Sequence, residues 1–424
     1  MKKIAIVGSG ISGLSSAYML QSKYEVTLYE KNHELGGHTR TVMVEDNGQK
    51  IAVDTGFIVF NQATYPNLTA FFNHLEVNVN KGRMSFGVSI NDGQLEYGSN
   101  NLNNVFAQRK NIVKPKFIKL VADIIKFNKY AKANLNRYDN EPDINLRDCL
   151  KEMKLSSWFI NYYLLAMGAA IWSTPIKKMY DFPASSFLRF FNNHGLLSIT
   201  DQPQWYTVDG GSQQYIEKIK KSINSNIRLN CAVSEVSRLG GKVQVTDNCG
   251  NQEEYDHVIL ASHANQTLSM LSDVTNDEKR LLSAFKYQKN RMVLHSDISF
   301  MPKNKRAWSS WVYLAENMNS KGDRISLSYW MNNLQKLATK KPMIVTLNPS
   351  REPALSLKHD EYIFEHPVFD QDAIKSQKNI SSIQGIQNTW FVGAYLSYGF
   401  HEDGLKSAIN VADSLGVMPS WLPQ

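Results

Sequence analysis

The sequence predicts a chain that is α/β in one part and α+β in the other. A parallel-sheet nucleotide-binding domain is built from discontinuous segments, and a second domain of mixed sheet and helices is inserted into it. Three observations predict this. The first thirty residues run strand, glycine turn, helix, strand. Apolar strand signals return near residue 226 and once more near residue 391. Between them lie helical patterning and aromatic-rich alternation that suit a different sheet.

Taken in order, Ile4–Val7 reads as a strand, Ile11–Gln21 as a helix and Glu25–Tyr29 as a second strand, which together make a βαβ unit. Helical patterns follow at Pro115–Asn136 and Ser156–Ile171. Strand signals come back at Asn226–Val233, Lys242–Thr246 and His257–Ala261, the last an apolar run suited to a buried parallel strand. Residues 290–350 alternate and carry many aromatics. Phe391–Ala394 reads as a last short strand and Gly404–Leu415 as the closing helix. The expected partition gives 1–70, 203–270 and 380–424 to the nucleotide-binding domain. Residues 71–202 and 271–379 go to the substrate domain, with a helical lobe near 100–200.

Composition excludes several classes. At 424 residues and 42% hydrophobic content the chain is an ordinary globular protein of about two domains. Cys149, Cys231 and Cys249 are widely spaced, which points to a reducing, cytoplasmic setting. The first strand and glycine turn begin at once, so no secretory leader is expected. The longest apolar stretch, Tyr162 to Trp172, falls short of the roughly 20 residues that a membrane span needs and is expected to be a buried helix. Charge is uneven: between Arg109 and Arg137 nine Lys or Arg face one acid, Asp123. Apolar residues recur there at three- and four-residue steps. Residues 109–137 therefore read either as a helix packed on the core or as a basic amphipathic helix on the anionic inner face of a membrane. No nucleic-acid module accompanies the charge, so no nucleic-acid partner is expected.

The chemistry begins at Gly8-Ser9-Gly10-Ile11-Ser12-Gly13. This turn follows a strand, opens a helix, and is answered by Glu30 and then Lys31 at the end of the next strand. Helix-start N–H groups suit a pyrophosphate, and the Glu30 carboxylate suits a ribose 2′-OH. A second glycine pair, Gly36-Gly37, followed by His38 and Thr39, supplies a further close-approach loop that a nicotinamide enzyme has no reason to carry. Thr55-Gly56-Phe57 supplies another place where backbone can pass a flat ring. Together they imply FAD in a Rossmann-like domain. No pair of histidines has metal-ligand spacing with a third ligand nearby, so no metal is expected.

Longer motifs carry a family resemblance. They are Asp54 to Asn61, Met167 to Pro175, Phe190 to Leu197, Gly210-Gly211-Ser212, His366 to Asp370, Trp390 to Tyr395 and Gly399 to Gly404. On these residues the sequence resembles the amine-oxidase-type FAD oxidoreductases, a group that includes monoamine oxidases, protoporphyrinogen oxidase and phytoene desaturase. More closely, it resembles a bacterial branch of NAD/FAD-binding proteins. The resemblance implies a Rossmann-like domain of the glutathione-reductase type, in which Gly8, Gly10, Ser12, Gly13 and Glu30 hold the ADP half and Gly37, His38 and Thr39 run along the pyrophosphate and ribityl. It puts Thr55, Gly56 and Phe57 at the isoalloxazine, Val233 at the adenine, and Gly393 and Ala394 at the pyrophosphate or ribityl. Gly404 and Leu405 would place a helix start under the flavin pyrimidine. Many relatives carry Arg where His38 stands.

No cysteine lies near the C-terminal motif, so the FAD is expected to be non-covalent. Phe400 falls where one tyrosine of an amine-caging pair would lie. His401 is the first candidate for an acid/base group and Glu402 the second. Arg291 is the nearest candidate for the cation that the wider group holds beside the flavin. The branch further implies a lipid-modifying methyltransferase of the cyclopropane-fatty-acid-synthase type as a partner. Dehydrogenation of an apolar small molecule or lipid is the leading expectation. An amine oxidase releasing aldehyde and peroxide, and a non-catalytic flavin-binding partner subunit, remain open.

Overall fold

The computed structural model describes residues 1–141, 143–172, 176–198, 202–315 and 326–422. Residues 173–175, the end of the Met167–Pro175 motif, lie outside them.

Five parallel strands form one sheet, in the order Asn226–Arg228, Tyr24–Tyr29, Lys2–Val7, His257–Leu260, Thr389–Phe391. Ile4, Ala5, Ile6, Leu28, Val258, Ile259 and Leu260 are buried without alternation, as a sheet covered on both faces requires. On one face lie the helices Ile11–Leu20, Gln213–Ser222 and His401–Ser414, which share an apolar cluster with Ile4, Ile6 and Leu28. On the other lies an antiparallel sheet of Val233–Leu239, Lys242–Asp247 and Gln252–Tyr255, which buries Val236, Val243 and Tyr255 against Ala5, Val7 and Val258.

A second, seven-stranded sheet runs Lys358–Val368, Lys286–His295, Ile344–Leu347, Ser326–Trp330, Trp311–Ala315, Phe86–Ile90, Leu95–Gly98. Its pairings are antiparallel apart from the parallel pair Phe86–Ile90 and Trp311–Ala315. The helices Pro115–Asn140, Leu146–Met153, Leu165–Trp172 and Ala184–Asn193 share an apolar cluster with this sheet. The pieces Phe60–Asn61, Trp205–Val208 and Val79–Gly82 make a small antiparallel sheet beside the first domain.

Several boundaries differ from the sequence reading. The expected strand over 226–233 divides: Asn226–Arg228 joins the parallel sheet, and Val233 opens the antiparallel one. Between them Asn230 takes φ 52°, which turns the chain from one sheet to the other. The helix expected at Ser156–Ile171 carries a π-turn at Ile160–Leu164. The last strand is Thr389–Phe391, and the closing helix starts earlier than expected, at His401. The basic helix buries Phe117, Leu120, Phe127, Ala131 and Tyr138 against the core. Among the described residues no helix is long and apolar enough to cross a membrane.

Candidate active site

The site starts where strand Lys2–Val7 ends. Gly8 (φ +104°) donates its N–H to the Tyr29 carbonyl at 2.8 Å and turns the chain into helix Ile11–Leu20. A Cβ on Gly13 would sit 1.9 Å from the Gly8 oxygen, so only glycine lets helix and turn approach this closely. The in-helix ladder starts with the Leu14 N–H on the Gly10 carbonyl at 2.9 Å, and Gly10 offers no side-chain cap. The Ile11, Ser12 and Gly13 N–H groups therefore lie at the open helix end, where the dipole favours an anion. The direction a Gly10 Cβ would take holds no atom within 4 Å.

Glu30 is buried and accepts from Ser9 N–H at 3.0 Å, Ser9 Oγ at 2.6 Å and Asn32 N–H at 2.9 Å. It thus clamps the glycine turn to the end of the neighbouring strand, while exposed Lys31 follows it. The second glycine pair meets the first directly. Gly36 N–H donates to the Ser9 carbonyl at 3.0 Å, and a Cβ on Gly37 would stand 2.9 Å from Gly10 Cα. Two backbones with no side chain between them frame an open space at a helix start. That is a cradle for a pyrophosphate.

From this cradle the chain leads to a second environment. Thr55 N–H donates to the Arg40 carbonyl and Phe57 N–H to the His38 carbonyl, each at 2.9 Å, so Thr55, Gly56 and Phe57 run alongside His38–Arg40. Buried Asp54 fixes this stretch by accepting from Thr41 Oγ1 (2.6 Å), Ser212 N–H and Oγ (2.8 Å each) and Gln335 Nε2 (2.7 Å). The Phe57 ring stacks on His401, centroids 3.8 Å apart. His401 Nε2 lies 3.0 Å from Thr39 Oγ1 and 3.2 Å from Tyr215 OH, and those two hydroxyls hydrogen-bond each other. Burial pushes the His401 pKa down to about 3, and neighbouring His38 adds to the shift. Next along, Phe400 lies near-parallel to Phe190 (5.2 Å, 21°), and His194 stacks on Phe190 at 3.8 Å and stands 5.7 Å from Phe400. Tyr398 closes the group, 6.0 Å from Phe190.

The structure brings most of the expected residues together but gives several of them other work. Gly404 lies inside the last helix: a Cβ there would stand 2.8 Å from Ser12 Oγ and 2.9 Å from Ile11 Cγ2. Gly404 therefore allows this helix to cross the first one, and buried Leu405 packs in the same apolar cluster. The helix start belongs to His401–Asp403 instead, with Asp403 accepting from Phe400 N–H at 2.9 Å. Gly393 N–H donates to Ser407 Oγ at 2.9 Å, which ties Gly393 and Ala394 to that helix. Val233 opens the antiparallel sheet beside Cys231.

Glu402 accepts from Asn67 N–H (3.1 Å), Asn67 Nδ2 (2.6 Å) and Leu68 N–H (2.9 Å), so its carboxylate caps helix Pro66–His74. Arg291 is a correction of a different kind. Its guanidinium is engaged by Glu352 and Glu361 at 2.5–3.1 Å. Its neighbour Asn290 bonds His366 from the opposite face of the same strand, so Arg291 points away from the cradle.

Sequence reasoning missed Tyr215, His263, Glu365 and Tyr287. His38 Nε2 donates to the Glu365 carbonyl at 3.2 Å, and the His38 ring lies 5.7 Å from His263 and 5.4 Å from His366. One signal was available for His263: it lies just beyond the carboxyl end of a parallel strand, beside the glycine turn, where such sheets bind ligands.

A parallel sheet with a glycine-turn cradle, answered by a second glycine loop and accompanied by a seven-stranded mixed sheet, defines a mixed α/β fold of the dinucleotide-binding class. Residues 11–289 match the family of flavin-containing amine oxidoreductases, and the chain belongs to that family. It is 25% identical over 362 residues to a protoporphyrinogen oxidase from Dictyostelium discoideum; the match covers 68% of this chain and 65% of that protein's length. In fold it is similar to a CLA-producing fatty acid isomerase from P. acnes (TM-score 0.67, 16% identity, 98% of this chain and 99% of that one). It is also similar to a putrescine oxidase bound to putrescine (TM-score 0.69, 13% identity, 98% and 99%). The cofactor of this family is FAD. The residues present fit it: the open space at Gly10, faced by Gly37, would receive a pyrophosphate, and Glu30, at the end of the second strand, would be the residue to meet a ribose.

Proposed function

We propose that this protein is an FAD-dependent oxidoreductase that dehydrogenates an apolar substrate, an acyl chain of a phospholipid being the preferred class. Bound FAD supplies the two-electron acceptor, which is restored by O2 or another oxidant. The chain's own part is to hold the substrate against an aromatic wall. The observation that carries the reading is the Phe190–Phe400 stack with His194. The faces of this wall are phenyl rings, with His194 and a single tyrosine, Tyr398, beside them, where a cationic amine would need a pair of facing tyrosines or a free carboxylate. The nearby carboxylates are otherwise engaged: Glu402 caps a helix and Asp403 holds Phe400 N–H. His401, neutral because burial disfavours its charged form, orients Thr39 and Tyr215 and is a weak base. The proton that accompanies dehydrogenation therefore leaves to water.

Anaerobic mixing of the FAD-loaded protein with phospholipids of differing acyl chains, and with a panel of amines, tests this. Bleaching of the oxidised flavin band by lipid is the expected result. Bleaching by amines alone would sink the lipid reading in favour of an amine oxidase, and no bleaching by either would favour a non-catalytic flavoprotein.

A lipid substrate also suits the surface of the helical lobe. Leu102, Ile112, Val113, Ile118 and Ile125 are all exposed, with Val113 at 78%. They stand among exposed Lys110, Lys116 and Lys129. Lys119 pairs with Asp123 and Lys126 donates to the Met153 carbonyl, so the contact proposed is the start of the helix rather than its whole length. Apolar side chains entering the acyl boundary, with lysines at anionic headgroups, give peripheral binding. Sedimentation with phosphatidylglycerol vesicles should exceed that with phosphatidylcholine vesicles and weaken in salt. Val113→Ser with Lys116→Glu should reduce it, and equal sedimentation with both lipids would count against the contact.

A further inference from the structure

We propose that this protein meets the FAD pyrophosphate with titratable imidazoles, His38 and His263, so that binding FAD takes up protons from solution. The proposal rests on FAD being the ligand of the glycine cradle.

The placement comes from three separate elements. His38 directly follows Gly37, whose backbone lies on Gly10. His263 stands two residues past Ala261, on which Gly8 packs. His366 lies on strand Lys358–Val368 and completes the cluster, 5.4 Å from His38. Nearby guanidinium groups face elsewhere. Arg40 pairs with Asp360 and lies over Tyr362, and Arg228 pairs with Glu253. Exposed Lys31 is the fixed cation felt by His263. The loops that build the cradle therefore carry His38 and His263 at its border, where a doubly charged pyrophosphate would meet imidazole alongside Lys31.

The hydrogen bonds sort the three rings. His366 is held neutral. The Asn290 amide accepts from Gln288 Nε2 and Asn348 Nδ2 through its oxygen, so its nitrogen donates to His366 Nδ1 at 2.7 Å, and that ring nitrogen stays an acceptor. His38 donates from Nε2 to the Glu365 carbonyl, which leaves Nδ1 to take a proton. His263 Nδ1 is buried without a hydrogen-bond partner, and the Glu365 carboxylate stands 3.6 Å away, placed to stabilise an imidazolium. The other groups that face the cluster are the Tyr287 ring stacked on His263 at 4.4 Å, Phe364 at 5.2 Å from His38, and neutral His401 beyond. Burial keeps both imidazoles neutral in the protein alone, with His263 pushed down to about 3 and His38 lowered. An anion at the cradle reverses that balance, and each imidazole becomes an imidazolium by taking one proton from water.

The sign follows from linkage. A group whose pKa is raised by the ligand makes binding tighter at low pH and weaker as pH rises towards the pKa of the loaded form. The loss is about tenfold in Kd per pH unit for each proton taken up. Calorimetric titration of the apoprotein with FAD, in two buffers of different ionisation enthalpy, counts those protons. Flavin fluorescence quenching gives Kd between about pH 6 and pH 8.5. The expected result is uptake of one to two protons per FAD and a Kd that weakens with pH. His38→Arg, a fixed charge, should remove up to one proton and flatten the profile. His263→Gln should do the same while weakening binding, with circular dichroism confirming that each variant folds. A pH-independent Kd with no proton uptake in the unmodified protein would overturn the proposal and leave FAD binding intact. An unchanged proton count in folded His38→Arg and His263→Gln would overturn it too. No FAD binding at any pH would overturn the cofactor assignment itself, and this proposal with it.

Discussion

The two ends of the candidate site are built by opposite means. At the nucleotide end the cradle itself is backbone, bordered by His38 and His263, and its working feature is the absence of side chains at Gly8, Gly10, Gly13 and Gly37. At the other end the walls are side chains: Phe57, Phe190, His194, Tyr215, Phe400 and His401 arrive from four separated stretches of chain and fix one another by stacking and hydrogen bonds. Gly8, Gly13 and Gly37 leave no room for an added Cβ, whereas the second end is held by contacts between side-chain rings. A cofactor shared across a family can thus be gripped in one way while the chemistry beside it changes.

Substitutions can break this contrast, the largest effect coming first. Gly13→Ala drives a methyl into the Gly8 oxygen and should cost about 3 kcal/mol or more, on the scale of a severe overpacking. Thermal denaturation should show the loss with or without FAD. Gly10→Ala sharpens the point, because its Cβ meets open space and its φ of −67° suits alanine. The apoprotein melt should be almost unchanged while FAD affinity falls by roughly 100-fold, about 2.7 kcal/mol. An unaltered Kd would show that the ligand does not pass Gly10. Glu402→Gln should lower stability by about 1 kcal/mol through the weakened cap on helix Pro66–His74. Flavin content and turnover should survive, and a collapse of turnover with normal folding would return Glu402 to the chemistry.

A further effect is one of pH, about 1 kcal/mol for each unit of acidification. His194 is pushed down to about 4 by burial, so the unfolded chain takes up its proton first as pH falls below about 6.5. Stability is therefore lost with acidification, by about 1 kcal/mol per pH unit after allowance for partial exposure. Melting curves of His194→Gln should be flatter between about pH 6.5 and pH 4, and FAD should not restore the difference. That would set His194 apart from the histidines at the nucleotide end.

The same contrast explains what was legible in the sequence. Strand, turn, helix, strand and Glu30 lie in one contiguous stretch whose geometry follows from local chemistry, so the nucleotide end can be read directly. The aromatic end depends on contacts between distant segments, and Tyr215 and His263 carry no local mark of them. Arg291 shows a second limit: the alternation that begins near residue 290 was recognised, but not which face this side chain takes. Gly404 shows a third. A glycine near a helix start reads as its boundary, yet here it lies within the helix so that Ser12 and Ile11 can pass. Glu402 was expected as the second acid/base candidate, but its role as a cap depends on Asn67 and Leu68, far earlier in the chain.

The strand order of the parallel sheet has a consequence for how the molecule is made. Strand Lys2–Val7 pairs with Tyr24–Tyr29 soon after synthesis begins, but its other neighbour is His257–Leu260, and the sheet ends on Thr389–Phe391. During translation an apolar strand edge waits, unpaired, until most of the chain has left the ribosome. Such non-local pairing slows folding and leaves a template for wrong association. Chains released before Thr389 should accumulate as aggregates rather than as a smaller cofactor-binding unit, and yield should depend on chaperones more than on final stability.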